Sequence, residues 1–198
     1  MLARLKDPPR PSSSPPRDAA MLACTFSAAA AALRESRWPR FVRIGPSGTV
    51  LEPANGAFDV TVAPGDGVQV AVDRCPRGGC VLLLPGTHEG PLVLGANQEV
   101  HVFGRGQATL RTAVGNVVTS KAFMATVDGL VIRQQEVIEA WEVGEGFGVL
   151  IEAGALRLQA CDISCAARAC ISIEGGTGTD PVVIDCKCAG LLLSFKLN

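Results

Sequence analysis

The chain has 198 residues, room for one domain and a tail, and its 18 Lys and Arg nearly balance 19 Asp and Glu. That balance excludes the basic footprint of a non-specific nucleic-acid binder, and a 47% hydrophobic content excludes a chain disordered throughout. With 22 Gly, 8 Cys and no Tyr, the texture is that of short aliphatic strands joined by tight turns.

Residues 1–20 contain five Pro and three consecutive Ser, which gives no apolar period and predicts a disordered tail. Residues 21–40 begin with an Ala-rich run of good helix formers that Trp38-Pro39 ends. They predict a helix, or alternatively, because the stretch through Arg43 is rich in Arg, Ser and Ala, an organelle-targeting segment spanning residues 1–43. The longest unbroken apolar run, Ala28–Leu33, falls far short of the ~20 residues a membrane helix needs. No membrane partner is expected, and the cytoplasm is the expected location, with an organelle as the alternative.

Residues 41–198 are expected to form one all-β domain. Candidate strands are Phe58–Val62, Cys80–Leu84, Pro91–Leu94, Val100–Phe103, Thr109–Arg111, Val117–Thr119, Thr126–Ile132, Val149–Glu152, Leu156–Leu158, Ile171–Glu174 and Val182–Ile184. Gly residues punctuate the turns between them. One helix interrupts the series at Asp66–Cys75, where Val68, Val72 and Cys75 share a face and Pro76 stops it.

Internal repeats decide between sandwich and solenoid. Val149–Ala155 (VLIEAGA) aligns with Ile171–Thr177 (ISIEGGT) at a period of 22. A second register runs through Leu130–Ile132, Cys161–Ile163 and Cys186–Cys188 at spacings of 31 and 25, the longer one accommodating an insertion at Gln134–Phe147. A β-sandwich does not require matched repeats. A parallel β-helix does, because each coil climbs one strand spacing, ~4.8 Å, and equivalent residues stack. The expectation is a short right-handed parallel β-helix of about four to five coils, its amino-terminal end capped by the helix at 66–75. The hydrophobic run Leu191–Asn198 either covers the last coil or leaves it open to end-to-end association, with a monomer as the other outcome.

The run from Val62 to Leu94, with its Pro-Gly-Thr-His-Glu turn at 85–89, and the sequence Val100-His-Val-Phe-Gly-Arg-Gly106 resemble the opening coil of pectin-lyase-like right-handed β-helix proteins. More narrowly, residues 58–190 are similar to the β-helix repeats of F-box-linked substrate adaptors and of repeat-rich algal proteins. The resemblance implies a fold shared by polysaccharide lyases, glycoside hydrolases and catalytically silent binding modules.

Hydrolases of this kind need clustered carboxylates on opposite faces of a sugar, and lyases need several Asp around Ca²⁺. The candidates are Asp128, Asp162 and Asp185, one per coil at unequal offsets, and the repeat-equivalent pair Glu152 and Glu174, expected side by side on an outer wall. None is expected to be catalytic; solvent-facing turn and wall roles account for them. His88 is read as a packing residue and His101, between inward Val100 and Val102, as solvent-facing. Cys161, Cys165, Cys170, Cys186 and Cys188 lack the C-x₂-C knuckles of a zinc site. Cys161, Cys186 and Cys188 instead occupy ladder positions, so packed free thiols are expected, disulfides being the next reading. No metal or cofactor is expected.

The insertion supplies the binding candidates: Trp141, an aromatic anchor, among Glu136, Glu139, Glu142 and Glu145. The expected function is therefore a non-catalytic β-helix module that binds a protein or glycan partner. The alternative is a carbohydrate-active enzyme, lyase or glycosidase, or the remnant of one.

Overall fold

The computed structural model describes residues 41–44, 50–53, 56–135, 146–176, 178–189 and 193–195. The predicted tail and Ala-rich helix lie outside these residues.

The described chain is a parallel β-solenoid of about five turns, as the repeat registers require. Its first wall is β3 (Val60–Val62), β4 (Gly79–Leu83), the first limb of β7 (Glu99–Thr112), the first limb of β9 (Met124–Gln134), β11 (Ala155–Gln159) and β14 (Val182–Ile184). The second wall stacks β5 (Gly86–Glu89), the later limbs of β7 and β9, β12 (Asp162–Cys165) and β15 (Lys187–Ala189). The third stacks β6 (Leu92–Leu94), β8 (Val118–Ser120), β10 (Phe147–Ile151), β13 (Ala169–Ile173) and β16 (Leu193–Phe195).

Both sequence registers are observed pairings. Val149 and Ile151 lie beside Ile171 and Ile173, while Ile132, Ile163 and Cys188 form one column. Inside, each wall contributes a ladder of like on like. Val81, Val102, Val127, Leu158 and Val183 run up the first wall, and Leu92, Val118, Val149 and Ile171 up the third. His88 heads the second-wall ladder beneath Leu110, fully buried as a packing residue, with its Nε2 2.9 Å from the Leu84 carbonyl. The first-wall ladder ends at Val183 in the last described coil, where the side chain is 44% exposed.

The helix α1 (Val68–Arg74) closes the amino-terminal end, burying Val68 and Val72 against β3, β4 and β6. It also treats the sheet edge. Gln69 accepts from Val93 N at 2.7 Å and donates to Val93 O at 3.0 Å, so its amide replaces the strand that β6 lacks on that side. Asp73 accepts from both Gln69 and Gln98, tying the helix to the turn before β7.

Two differences from the sequence reading concern the first coils. The segments expected as separate strands at 100–103 and 109–111 are one strand, β7, bent at a bulge between Phe103 and Ala108. The described residues of 41–53 pair with each other rather than with a coil: β1 (Phe41–Ile44) and β2 (Val50–Pro53) are antiparallel, and β2 packs against β7 and β9.

In the last three described coils the corner between first and second walls turns through a left-handed residue: Gly129 (φ 61°), Ala160 (φ 50°) and Asp185 (φ 52°). Gly129 needs its glycine twice, since an added Cβ would also lie 3.0 Å from the Arg105 backbone nitrogen. Ala160 carries a Cβ in the same left-handed conformation and bears its strain. Ala160→Gly is therefore expected to raise stability by about 0.5–1 kcal/mol, and Gly129→Ala to lower it by about 2 kcal/mol; denaturant unfolding of the two variants checks both signs. Gln69→Ala is expected to cost about 1 kcal/mol in the same measurement and to increase self-association in light scattering, because it uncovers the β6 edge.

Candidate functional site

The candidate carboxylates are distributed over different walls and corners. Asp128 points outward from the first wall, in register with Phe103 and Gln159, yet is only 1% exposed. Asp162 lies on the second wall and accepts from Arg133 Nη1 at 3.0 Å; that hydrogen bond holds its carboxyl below the usual range. Asp185 occupies a left-handed corner between β14 and β15. Glu152 and Glu174 follow the paired residues Ile151 and Ile173 at the end of the third wall, and Glu152 faces Lys121 of the preceding coil at 3.0 Å. The register of Ile151 with Ile173 puts the Glu pair at equivalent positions of adjacent coils, while the other three lie on the first wall, the second wall and the corner between them. Exposed pairs of this kind contribute only ~0–1 kcal/mol each to stability.

The insertion candidates Trp141, Glu136, Glu139, Glu142 and Glu145 lie outside the described residues. Both ends of the insertion are described, and they are held firmly. On the departing side Gln135 N donates to Thr112 O at 3.0 Å. The buried Gln134 amide accepts from Ala166 N and Ala167 N, each at 3.2 Å, binding the end of β9 to the turn above. On the returning side Phe147 N donates to Asn116 Oδ1 at 2.9 Å and Val117 N to Phe147 O at 3.1 Å. Gly146 between them packs so tightly that a Cβ would meet Gly115 O at 2.7 Å.

Neither Gln134 nor Asn116 was singled out from sequence. A signal existed for Gln134: it continues the alternation Leu130, Ile132 inward, and a polar residue at an inward ladder position needs a partner when buried. Asn116, directly after Gly115 at a corner, carried only the general turn signal.

The outer surface of the first wall is a second buried layer. Phe103 packs edge-on to Phe58 with ring centroids 5.6 Å apart, Cys80 and Leu82 join them, and Arg105 stands 5.4 Å from the Phe58 centroid. His101 lies in this layer. The alternation of Val100 and Val102 does turn it outward, but it is 0% exposed, which corrects the expected solvent-facing position. Its Nδ1 is 3.0 Å from Thr126 Oγ1 on the next coil. Burial lowers its pKa to about 4, against a smaller opposing effect from Glu99.

The seven described cysteines are free thiols. Cys75 and Cys80, which bracket the turn 76–79, are among them. Cys161, Cys170, Cys186 and Cys188 belong to or pack against the solenoid core, and among the described residues no group of three or more His, Cys, Asp or Glu is placed to hold a metal ion.

Comparison of the chain with protein-family models, with curated proteins and with solved structures gives no match.

The buried His101 makes stability depend on pH. Unfolded, the imidazole binds a proton near pH 6.5; folded, it resists protonation down to about pH 4. Its contribution is thus complete above the unfolded value and is lost as pH falls toward the folded one. Unfolding free energy is expected to drop by about 2 kcal/mol between pH 7.5 and 5. In a His101→Asn variant that slope is expected to flatten, since the lowered carboxylates titrate below this window.

Proposed function

We propose that this chain is a non-catalytic binding module of the pectin-lyase-like right-handed β-helix type, taking a protein or glycan partner through the insertion at 136–145. The observation that carries this reading is the anchoring of the insertion. Its two ends are fixed to neighbouring coils through Gln134, Asn116 and the main chain. A loop that starts and ends on a rigid base presents its tip with less ordering cost than one hinged freely. The tip carries Trp141 within four Glu, an aromatic anchor with an acidic rim.

The dispersion of the candidate acids supports the non-catalytic part. Glycosidic cleavage by paired carboxylates needs two of them ~5–9.5 Å apart across a sugar. Here Asp162 is paired with Arg133, Glu152 with Lys121, and Asp128 is buried. The likeness of residues 62–94 and 100–106 to pectin-lyase-like proteins supports the family assignment, and the balanced charge favours protein or neutral glycan over nucleic acid.

Affinity capture from lysate and glycan-array binding, run with the native chain and with Trp141→Ala, test this. The substitution is expected to weaken the bound partner at least tenfold, about 1.4 kcal/mol or more, and Glu139→Lys, Glu142→Lys and Glu145→Lys together to weaken it further. Partners retained undiminished by all these variants refute the loop as the site. Cleavage of polyuronides with or without Ca²⁺ would overturn the non-catalytic reading.

A further inference from the structure

The last two described coils place two thiols in equivalent positions. Cys161 follows left-handed Ala160, and Cys186 follows left-handed Asp185. The pairs on either side, Gln159 with Ile184 and Asp162 with Lys187, are in register. Ala160 N donates to Ile184 O at 3.0 Å and Lys187 N to Cys161 O at 2.8 Å, so the two corners are stitched together. Each thiol reaches the carbonyl two residues before it, Cys161 Sγ to Gln159 O at 3.2 Å and Cys186 Sγ to Ile184 O at 3.4 Å. The side chains therefore repeat one another one strand spacing apart, ~4.8 Å between Cα atoms. That lies inside the ~4.4–6.8 Å range a disulfide bridges.

The environments of the two thiols differ. Cys161 is fully buried, whereas Cys186 is partly exposed in the coil where Val183 also surfaces. The neighbouring Cys161 thiol lowers the pKa of Cys186, against burial and the charge of Asp128. Cys186, then burial, pushes Cys161 well up. Burial also pushes Cys80 and Cys188 up to about 11. The accessible member of the pair is thus the nucleophilic one.

We propose that Cys161 and Cys186 form a redox-active pair, which a low-molecular-weight disulfide such as glutathione disulfide converts to an intrachain disulfide fastening the last coil to the one before. The Cys186 thiolate attacks one sulfur of the external disulfide, whose S–S bond breaks and releases one glutathione thiolate. Cys161, giving up its proton to that thiolate, attacks the Cys186 sulfur and displaces the second glutathione thiolate, which takes up a proton from solvent. Two thiols of the chain are oxidised, and one external disulfide is reduced to two thiols. The bridge closes the chain from Asp162 to Asp185 into a loop, restraining the coil that exposes Val183.

The test uses the full chain equilibrated with glutathione and glutathione disulfide at pH 7.5, followed by alkylation, non-reducing tryptic digestion and mass spectrometry. Trypsin cuts after Arg157, Arg168 and Lys187. The expected product is peptide 158–168 joined to peptide 169–187, separating on reduction, with fragment spectra placing the bridge between Cys161 and Cys186. It is expected to persist in Cys165→Ser and Cys170→Ser and to vanish in Cys186→Ser. Oxidation is also expected to slow cleavage after Lys187 in the native chain several-fold. Three results overturn the proposal: glutathione retained on Cys186 without an internal bridge, a bridge located between any other cysteines, or full alkylation of both thiols after oxidation. Fragment spectra of the unsubstituted chain decide the matter even where a variant fails to fold.

Discussion

Everything in this molecule depends on one constraint: each coil advances by a single strand spacing, so a side chain meets its own counterpart above and below. The interior answers with columns of like residues, Val81–Val102–Val127–Leu158 on the first wall and Leu92–Val118–Val149–Ile171 on the third. Flat stacking of aliphatics gives close packing without large aromatics, which is why a chain with no Tyr builds a continuous core. The same translation repeats the corner backbone, so that Ala160 and Asp185 adopt the left-handed turn of Gly129 although neither is Gly. Local preference yields to register there, at a modest cost in strain.

A translational stack must also end. At the amino terminus α1 covers the core, and Gln69 supplies a side-chain amide to the outer edge of β6, so that edge is closed both apolarly and in its hydrogen bonding at Val93. At the last described coil the ladder residues are only partly covered, Val183 most openly. Cys161 and Cys186 lie in the last two described coils, where a covalent tie would join one to the other.

The parts of this architecture legible in sequence were those that the stacking repeats. VLIEAGA over ISIEGGT, and Ile132, Ile163 and Cys188 in one column, are readable because inward positions tolerate few substitutions of shape. β5, Gly86–Glu89, has no strand-like pattern of its own; its extended form comes from pairing with β7. His101 was read correctly as outward and incorrectly as exposed, because outward means solvent only if nothing lies over the wall. The outer layer that includes Phe58, some forty residues earlier in the chain, packs on that face, and no periodicity links the two. Gln134 and Asn116 are likewise nonlocal: their partners, Ala166, Ala167 and Phe147, lie about thirty residues away.

The stack also governs where chemistry can arise. Repeat-equivalent carboxylates such as Glu152 and Glu174 lie along one wall, neighbours on a flat surface rather than partners across a gap. Asp128, Asp162 and Asp185, one per coil, are separated because a shift of a few residues along a coil moves a side chain to another wall or corner. Walls of this kind suit broad contact, whereas convergent groups must come from a segment that escapes the repeat. The ends of the insertion between β9 and β10 are held by buried and main-chain hydrogen bonds while the coils on either side keep their register. The stacked coils therefore hold both ends of that segment in fixed positions.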